Sequence, residues 1–238
     1  MTMPGTAMIM AAGKGTRMMP LTASKPKPLI AVAGTTLLDH VLDLLRDAGV
    51  GRIVVNVHYL ADQIEAHLAA HANDFDVTIS DERALLRDTG GGLIQALPLI
   101  RDDPFFCINA DNWFADTEEH ALHRMATRWD PARMDVLMLV VPMEHAGNTQ
   151  GTGDFDLDPE GRLSRDGTKR PRPYVWTGIQ LLARQVIADA PTDVFSTNVF
   201  WDRAIKRGRC YGLVHDGEWF DVGYPAAIAL TEARISGG

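Results

Sequence analysis

Cysteine is scarce in this 238-residue chain, which carries only Cys107 and Cys210. No CxxC pair occurs, so a zinc site has no support in the sequence. Cys107 lies in the apolar run at 105–108, where a reduced core thiol is expected rather than a structural disulfide. Long apolar runs are missing too. The run at 7–12 breaks at Gly13-Lys14, and none approaches the roughly 18 residues of a membrane span or the pattern of a secretory leader. A soluble cytoplasmic protein with no membrane partner is expected. Positive charge is in deficit, with 23 Lys+Arg against 31 Asp+Glu and a net charge of -8. Nucleic-acid binding draws on many Lys/Arg–phosphate contacts, so that class of partner is disfavoured.

One deficit is local and of the opposite sign. No Asp or Glu precedes Asp39, while Lys14, Arg17, Lys25 and Lys27 all fall in that stretch. A basic segment in an acidic chain points to a small polyanion. Its residues suit one. A strand at 7–12 runs into Gly13-Lys14-Gly15-Thr16-Arg17, where glycines let the backbone approach a ligand and aim N–H groups at an anion. Arg17 adds a planar fork of donors suited to phosphate oxygens. Lys25-Pro26-Lys27-Pro28 then stiffens the chain around two lysines. Two familiar phosphate loops do not fit: a Walker loop needs Ser or Thr after Gly-Lys, where Gly15 stands, and a dinucleotide fingerprint needs glycine where Met18 stands.

The remainder alternates. A helix at 36–48 is closed by Gly49, followed by a strand at 53–57, a helix at 62–70 and a strand at 76–80. This pattern predicts a parallel sheet with helices on both faces and a ligand site at the carboxyl ends of the strands. Asp88-Thr89-Gly90-Gly91-Gly92 precedes a short helix at 93–97; the glycines allow either a flexible helix start or a backbone lying against something planar or anionic. Phe105-Phe106-Cys107-Ile108-Asn109-Ala110-Asp111 is a buried strand ending in an acid, which is either a capping aspartate or a metal carboxylate. A helix at 117–129 and a strand at 136–141 follow. Glycine-punctuated short pieces at 144–174, with a turn at 158–161, read as an antiparallel excursion. Its basic residues Arg162, Arg165, Lys169, Arg170 and Arg172 are either a solvated face or a phosphate contact. A helix at 196–206 and a strand at 209–214 lead to Trp219-Phe220-Asp221-Val222-Gly223, where Asp221 is again either a helix cap or a functional carboxylate, before a helix from 226.

The segment AAGKGTRMMPLTASKPKPL resembles the signature of the sugar-1-phosphate nucleotidylyltransferases: Gly-x-Gly-Thr-Arg, two residues, Pro-Leu-Thr, then Pro-Lys-Pro. The resemblance extends to Asp221-x-Gly223. Its nearest subgroup is the bacterial uridylyltransferases of N-acetylmuramate 1-phosphate, similar in the glycine triplet after Thr89, in Gly153-Asp154-Phe155 and in Trp219-x-Asp221-Val222-Gly223. The resemblance implies an α/β fold: a single Rossmann-like three-layer domain, with a mostly parallel mixed sheet and a small antiparallel excursion over the sugar site. A nucleotide half at about 1–115 and a sugar half at about 116–238 make up that domain, without the added C-terminal domain of larger relatives. It implies that a nucleoside triphosphate, UTP by subgroup, and a sugar 1-phosphate are joined with release of pyrophosphate.

By the same resemblance Arg17, Lys27 and Asp111 are catalytic, and Asp111 and Asp221 hold Mg²⁺. Ala11, Ala12, Gly13, Lys14, Gly15, Thr16, Gly90 and Gly91 bind the nucleotide, with Glu82 where a base-reading residue stands. Asn109, Gly153, Thr177 and Gly178 bind the sugar, and Lys169 is a further candidate for its phosphate. Two departures from the family pattern are Ala110 in place of glycine and Tyr224 in place of threonine. Mannose-1-phosphate guanylyltransferase is the rival within the family, and a non-catalytic nucleotide-sugar sensor is the rival from another class.

Overall fold

The computed structural model of the chain describes residues 2–116, 118–168, 170–188, 190 and 194–236. Strand β1, Thr6–Met10, opens the fold and leads through three short 3-10 turns to a two-residue hairpin, β2 Ala31–Val32 and β3 Thr35–Thr36. Helix α1, Leu37–Asp47, starts there because the Thr36 hydroxyl accepts the Asp39 amide at 3.0 Å. It buries Leu37, Leu38, Val41, Leu42, Leu44 and Leu45, each contributing about 1.5–3 kcal/mol. Gly49, at φ 75°, ends it in the left-handed region. Then come β4 Arg52–Val57, α2 Ala61–His71, β5 Asp76–Asp81, α3 Asp88–Ala96, β6 Phe105–Asn109, β7 Asn112–Ala115 and α4 Ala121–Arg128. The second half holds β8 Val136–Pro142, β9 Ala146–Gly147, β10 Asp156–Leu157, β11 Leu163–Ser164 and β12 Tyr174–Leu182. It closes with α5 Arg184–Ala188, α6 Asn198–Lys206, β13 Cys210–Val214, β14 Glu218–Asp221 and α7 Pro225–Ser236.

Seven strands form the central sheet in the order β13-β8-β12-β6-β1-β4-β5. Every pairing is parallel except those of β12, which runs antiparallel between β8 and β6. Alternate residues of each strand feed opposite faces. Ala7, Ile9, Ile53 and Val55 pack with α1, α2 and α4, whereas Met8 and Val54 pack with α3, α5 and α6. The three-layer expectation is met. The excursion is also present: β10 and β11 pair antiparallel across a turn closed by Gly161 N–H on the Asp158 carbonyl at 2.9 Å. No helix among the described residues is long and apolar enough to cross a membrane. Both cysteines are free and buried, and burial pushes the Cys107 thiol up to about 12.

Two helices differ from their sequence readings. The helix read at 117–129 begins at Ala121, because His120 supplies a cap by accepting the Leu122 amide at 3.2 Å and the apolar face starts there; Thr117 lies outside the described residues. The glycine triplet does not precede a helix but sits inside α3. A Cβ on Gly90 would lie 2.4 Å from the Phe195 ring, so this glycine serves close packing rather than a loose helix start.

Candidate active site

The carboxyl ends of β1 and β6 lie side by side, and from β1 the chain continues to one side of the sheet while β6 lies on the other. Such a switch point opens a crevice. Here it is a cleft of about 390 Å³ with the segment after β1 as one wall and Asn109, Ala110 and Asp111 as another. Ala11, Ala12, Gly13, Gly15, Thr16 and Arg17 line it, while Lys14 is exposed outside the lining. Gly15 holds φ +61°, and a Cβ there would meet Thr22 Cγ2 at 2.9 Å and the Lys27 Cβ at 3.0 Å. The loop is pinned from below, with the Thr22 hydroxyl donating to the Gly15 carbonyl at 2.8 Å and Tyr59 donating to the Thr22 carbonyl at 2.7 Å.

Lys27 reaches the cleft from the start of a 3-10 turn, Lys27–Leu29, that is capped by Pro26 and contains Pro28. Its side chain is 9% exposed, and Nζ donates to Asp111 Oδ2 at 2.9 Å. Asp221 arrives through pairing rather than proximity in sequence: β14 runs antiparallel to β7 with Asp221 opposite Asn112, which sets it beside Asp111. Burial pushes the Asp221 carboxyl above its ordinary value and the Asp111 charge adds to this, against the opposing pull of Lys27 and Arg17. A Cβ on Gly223 would sit 2.8 Å from Asp221 Oδ1 and 3.1 Å from Arg17 Nη1. The Gly-x-Gly-Thr-Arg, Pro-Lys-Pro, Asn-Ala-Asp and Asp-x-Gly segments thus converge on one point.

Beneath the loop runs a buried polar chain. Ala11 N–H donates to Asn56 Oδ1 at 2.7 Å, Asn56 Nδ2 donates to Glu82 Oε1 at 2.8 Å, and Arg87 N–H donates to Glu82 Oε2 at 3.1 Å. Glu82 is 1% exposed and lines the cleft with Asn56, Leu86, Asp88, Thr89 and Val194. The Gly90 and Gly91 amides both donate to the Phe195 carbonyl, at 2.8 and 3.1 Å, and neither residue is in the lining. Asn56 escaped the sequence reading, although one amide inside the β-branched run at 53–57 is the signal that could have found it.

On the opposite side Gly178, at φ +92°, packs against Asn109 and Asn112; a Cβ would lie 2.5 Å from Asn112 Nδ2. Thr177 is buried with its hydroxyl donating to the Leu139 carbonyl at 2.9 Å. Its own carbonyl accepts from Asn112 Nδ2 and Trp219 Nε1, each at 3.0 Å, tying β12 to β7, which follows Asp111, and to β14, which ends in Asp221. Gly153, at φ +85°, lies against the Arg172 carbonyl and outside the cleft lining. The arginines of the basic segment are all paired: Arg170 with Asp156 at 2.6 Å, Arg165 with Asp202 at 2.7 Å, Arg162 with Asp158 at 3.6 Å, and buried Arg172 with both Asp156 and Asp166. Lys169 lies outside the described residues.

With this geometry in place, similarity to known proteins is informative. The nucleotidyl transferase family profile matches residues 6–165. The chain is 39% identical over 236 residues to the N-acetylmuramate alpha-1-phosphate uridylyltransferase of Caulobacter vibrioides, covering 98% of each. It is 34% identical to the protein of that name from Neisseria meningitidis serogroup B, again covering 98% of each. A mannose-1-phosphate guanylyltransferase of Mycobacterium tuberculosis is 27% identical over 98% of this chain and 65% of its own length. Among solved structures, HddC of Yersinia pseudotuberculosis complexed with GMP-PN shares the fold with a TM-score of 0.77 at 23% identity, over 97% of this chain and 99% of that one.

Proposed function

Since the chain belongs to the nucleotidyl transferase family, we propose that it transfers a uridylyl group from UTP to N-acetylmuramate 1-phosphate, releasing pyrophosphate. The observation that carries the substrate choice is the 39% identity, over 98% of both chains, to a protein of that activity. The cleft supports the reaction class. A sugar 1-phosphate is already anionic at neutral pH, so no side chain has to generate the nucleophile; its oxygen attacks the α-phosphorus in line as the bond to pyrophosphate breaks. The task left to the protein is positioning and charge neutralisation.

In this reading Arg17 and the backbone at 11–16 hold the triphosphate and the departing pyrophosphate. Lys27, buried and paired with Asp111, would bridge the α-phosphate and the attacking phosphate. Two neighbouring carboxylates, one with its carboxyl pushed up by burial, form an oxygen donor set that fits a hard divalent cation such as Mg²⁺. Bound there by Asp111 and Asp221, the ion would supply charge neutralisation and alignment of phosphate oxygens. Asp88, Thr89 and Glu82 border the base end, with Gly90 and Gly91 fixing the start of α3. Asn109 and Gly178 border the sugar end, with Thr177 and Gly153 shaping the strands around it. In this reading the nucleotide half spans about 1–115 and the sugar half about 116–238, and the activity would serve peptidoglycan recycling in the cytoplasm.

Guanylyl transfer to mannose 1-phosphate is the second reading, favoured by the M. tuberculosis relative. A non-catalytic sensor is disfavoured because Arg17, Lys27, Asp111 and Asp221 are all present and assembled. Pyrophosphate release measured for UTP, GTP, CTP, ATP and dTTP crossed with a panel of sugar 1-phosphates separates the three. Turnover confined to UTP with N-acetylmuramate 1-phosphate supports the proposal. Preference for GTP with mannose 1-phosphate overturns the substrate, and binding without turnover for every pair overturns the reaction.

A further inference from the structure

Where helices α1 and α2 meet, Asp39 of α1 faces His67 and His71 of α2, and one ligand atom from each lies within 4.8 Å of the others. None of the three lines the catalytic cleft. We propose that they form an accessory site for a divalent transition-metal ion of the zinc class, independent of the nucleotide centre. The two histidines are four residues apart on a helix, the spacing that stacks side chains one above the other on one face. Their rings are parallel, with centroids 4.2 Å apart and an interplanar angle of 8°. Turning the rings out of this stack aims one nitrogen of each at a common point, where a single divalent ion can take both as nitrogen ligands.

Asp39 completes a nitrogen and oxygen donor set. Its Oδ1 is 2.7 Å from His67 Nε2, and its Oδ2 accepts from the Thr36 hydroxyl at 2.6 Å. That outer hydrogen bond orients the carboxylate, as bonds to metal-ligating carboxylates do. Zinc bonds of about 2.0–2.2 Å bring tetrahedral ligand atoms to roughly 3.3 Å from one another, so closure requires only side-chain turns. His71 is exposed and has room to make one. An open pocket lined by Gly34, Thr35, Asp39, Asp43, Arg46 and His71 gives an ion access and leaves space for a water ligand. The Arg46 guanidinium does not exclude a cation there, because Asp43 and Asp74 both pair with it at 2.5 Å and leave the neighbourhood net negative. The cysteine-poor sequence gave no hint of zinc; this site uses imidazole instead. It would tie α1 to α2.

The test is a Co²⁺ and Zn²⁺ titration of the chelator-stripped full chain in millimolar Mg²⁺, which keeps the two cleft carboxylates occupied. Wild-type protein and His71→Ala are compared, with Asp111→Asn as the control for binding in the cleft. Wild type should take one equivalent of Co²⁺ with the visible absorption of a tetrahedral nitrogen and oxygen site. Zn²⁺ should displace it and raise Tm by about 5–10 °C when present at a hundredfold over Kd. His71→Ala should bind at least about tenfold more weakly and lose the Tm shift while keeping its basal melting temperature and pyrophosphate release. Asp111→Asn should bind as wild type does. Absence of binding in wild type, or Co²⁺ absorption and Tm shift unchanged in His71→Ala, would overturn the site.

Discussion

Gly92→Ala pits local helix propensity against packing under the active site. Gly92 is interior to α3, where replacing glycine by alanine ordinarily stabilises a helix by about 0.5–1 kcal/mol. Here the added Cβ would lie 2.7 Å from Glu82 Oε1 and 3.0 Å from Asn56 Nδ2. Glu82 is the end of a flexible side chain, but it is buried and accepts at both oxygens, so it cannot swing aside without stranding Asn56 Nδ2 or the Arg87 amide. A buried donor left unmatched costs about 1–3 kcal/mol. The net expectation is destabilisation by about 1–2 kcal/mol, or a Tm lower by about 2–8 °C for a chain of this size. Urea unfolding should show a lower midpoint with an unchanged m-value. In a Glu82→Ala background the closer obstruction is gone and Asn56, no longer held by Glu82, can give at its own contact, so the same substitution should be neutral or stabilising, giving a coupling of about 1–3 kcal/mol. A Gly92→Ala single variant more stable than wild type would refute the reasoning.

Other expectations follow from single groups. Gly153→Ala should cost about 2 kcal/mol or more by urea unfolding, because φ is +85° and a Cβ would fall 2.1 Å from the Arg172 backbone carbonyl; a loss within error of zero would contradict this. Burial lowers the His215 pKa below 6.5, against the opposing pull of the Glu218 and Ala115 carbonyls and of Asp116 and Asp216. The unfolded chain then takes up a proton near pH 6.5 that the fold refuses, so this stability is present above that pH and lost as pH falls through the lowered value. Urea midpoints from pH 7.5 down to about 5.5 should fall more steeply for wild type than for His215→Gln, and parallel profiles would exclude the effect.

What could be read from sequence was local and contiguous. Strand, glycines, Arg17 and Lys27 lie within twenty-odd residues, Asp111 follows a visible apolar strand, and Asp221 stands at an element boundary before the last helix. Pairwise facts stayed hidden. That Asp221 stands beside Asp111 depends on β14 pairing with β7, more than a hundred residues away in the chain. The Ala11–Asn56–Glu82 chain spans three strands and the segments between them, and no periodicity signals a buried amide–carboxylate pair. Glycine was ambiguous for a physical reason: the same residue permits left-handed backbone at Gly15 and close packing at Gly90 and Gly92. The basic run at 162–172 stayed open between a solvated face and a phosphate contact because its partners Asp156 and Asp202 come from other elements.

The central claim is that Lys27, Asp111 and Asp221 together carry nucleotidyl transfer in this cleft, and it is tested most directly by steady-state pyrophosphate release from the wild type, Lys27→Ala and Asp221→Asn, with Mg²⁺ and after chelation, while UTP binding is followed separately. The account predicts turnover in the wild type that chelation abolishes, with kcat in each variant lower by about 10² or more although UTP still binds. Either variant turning over at the wild-type rate would contradict it.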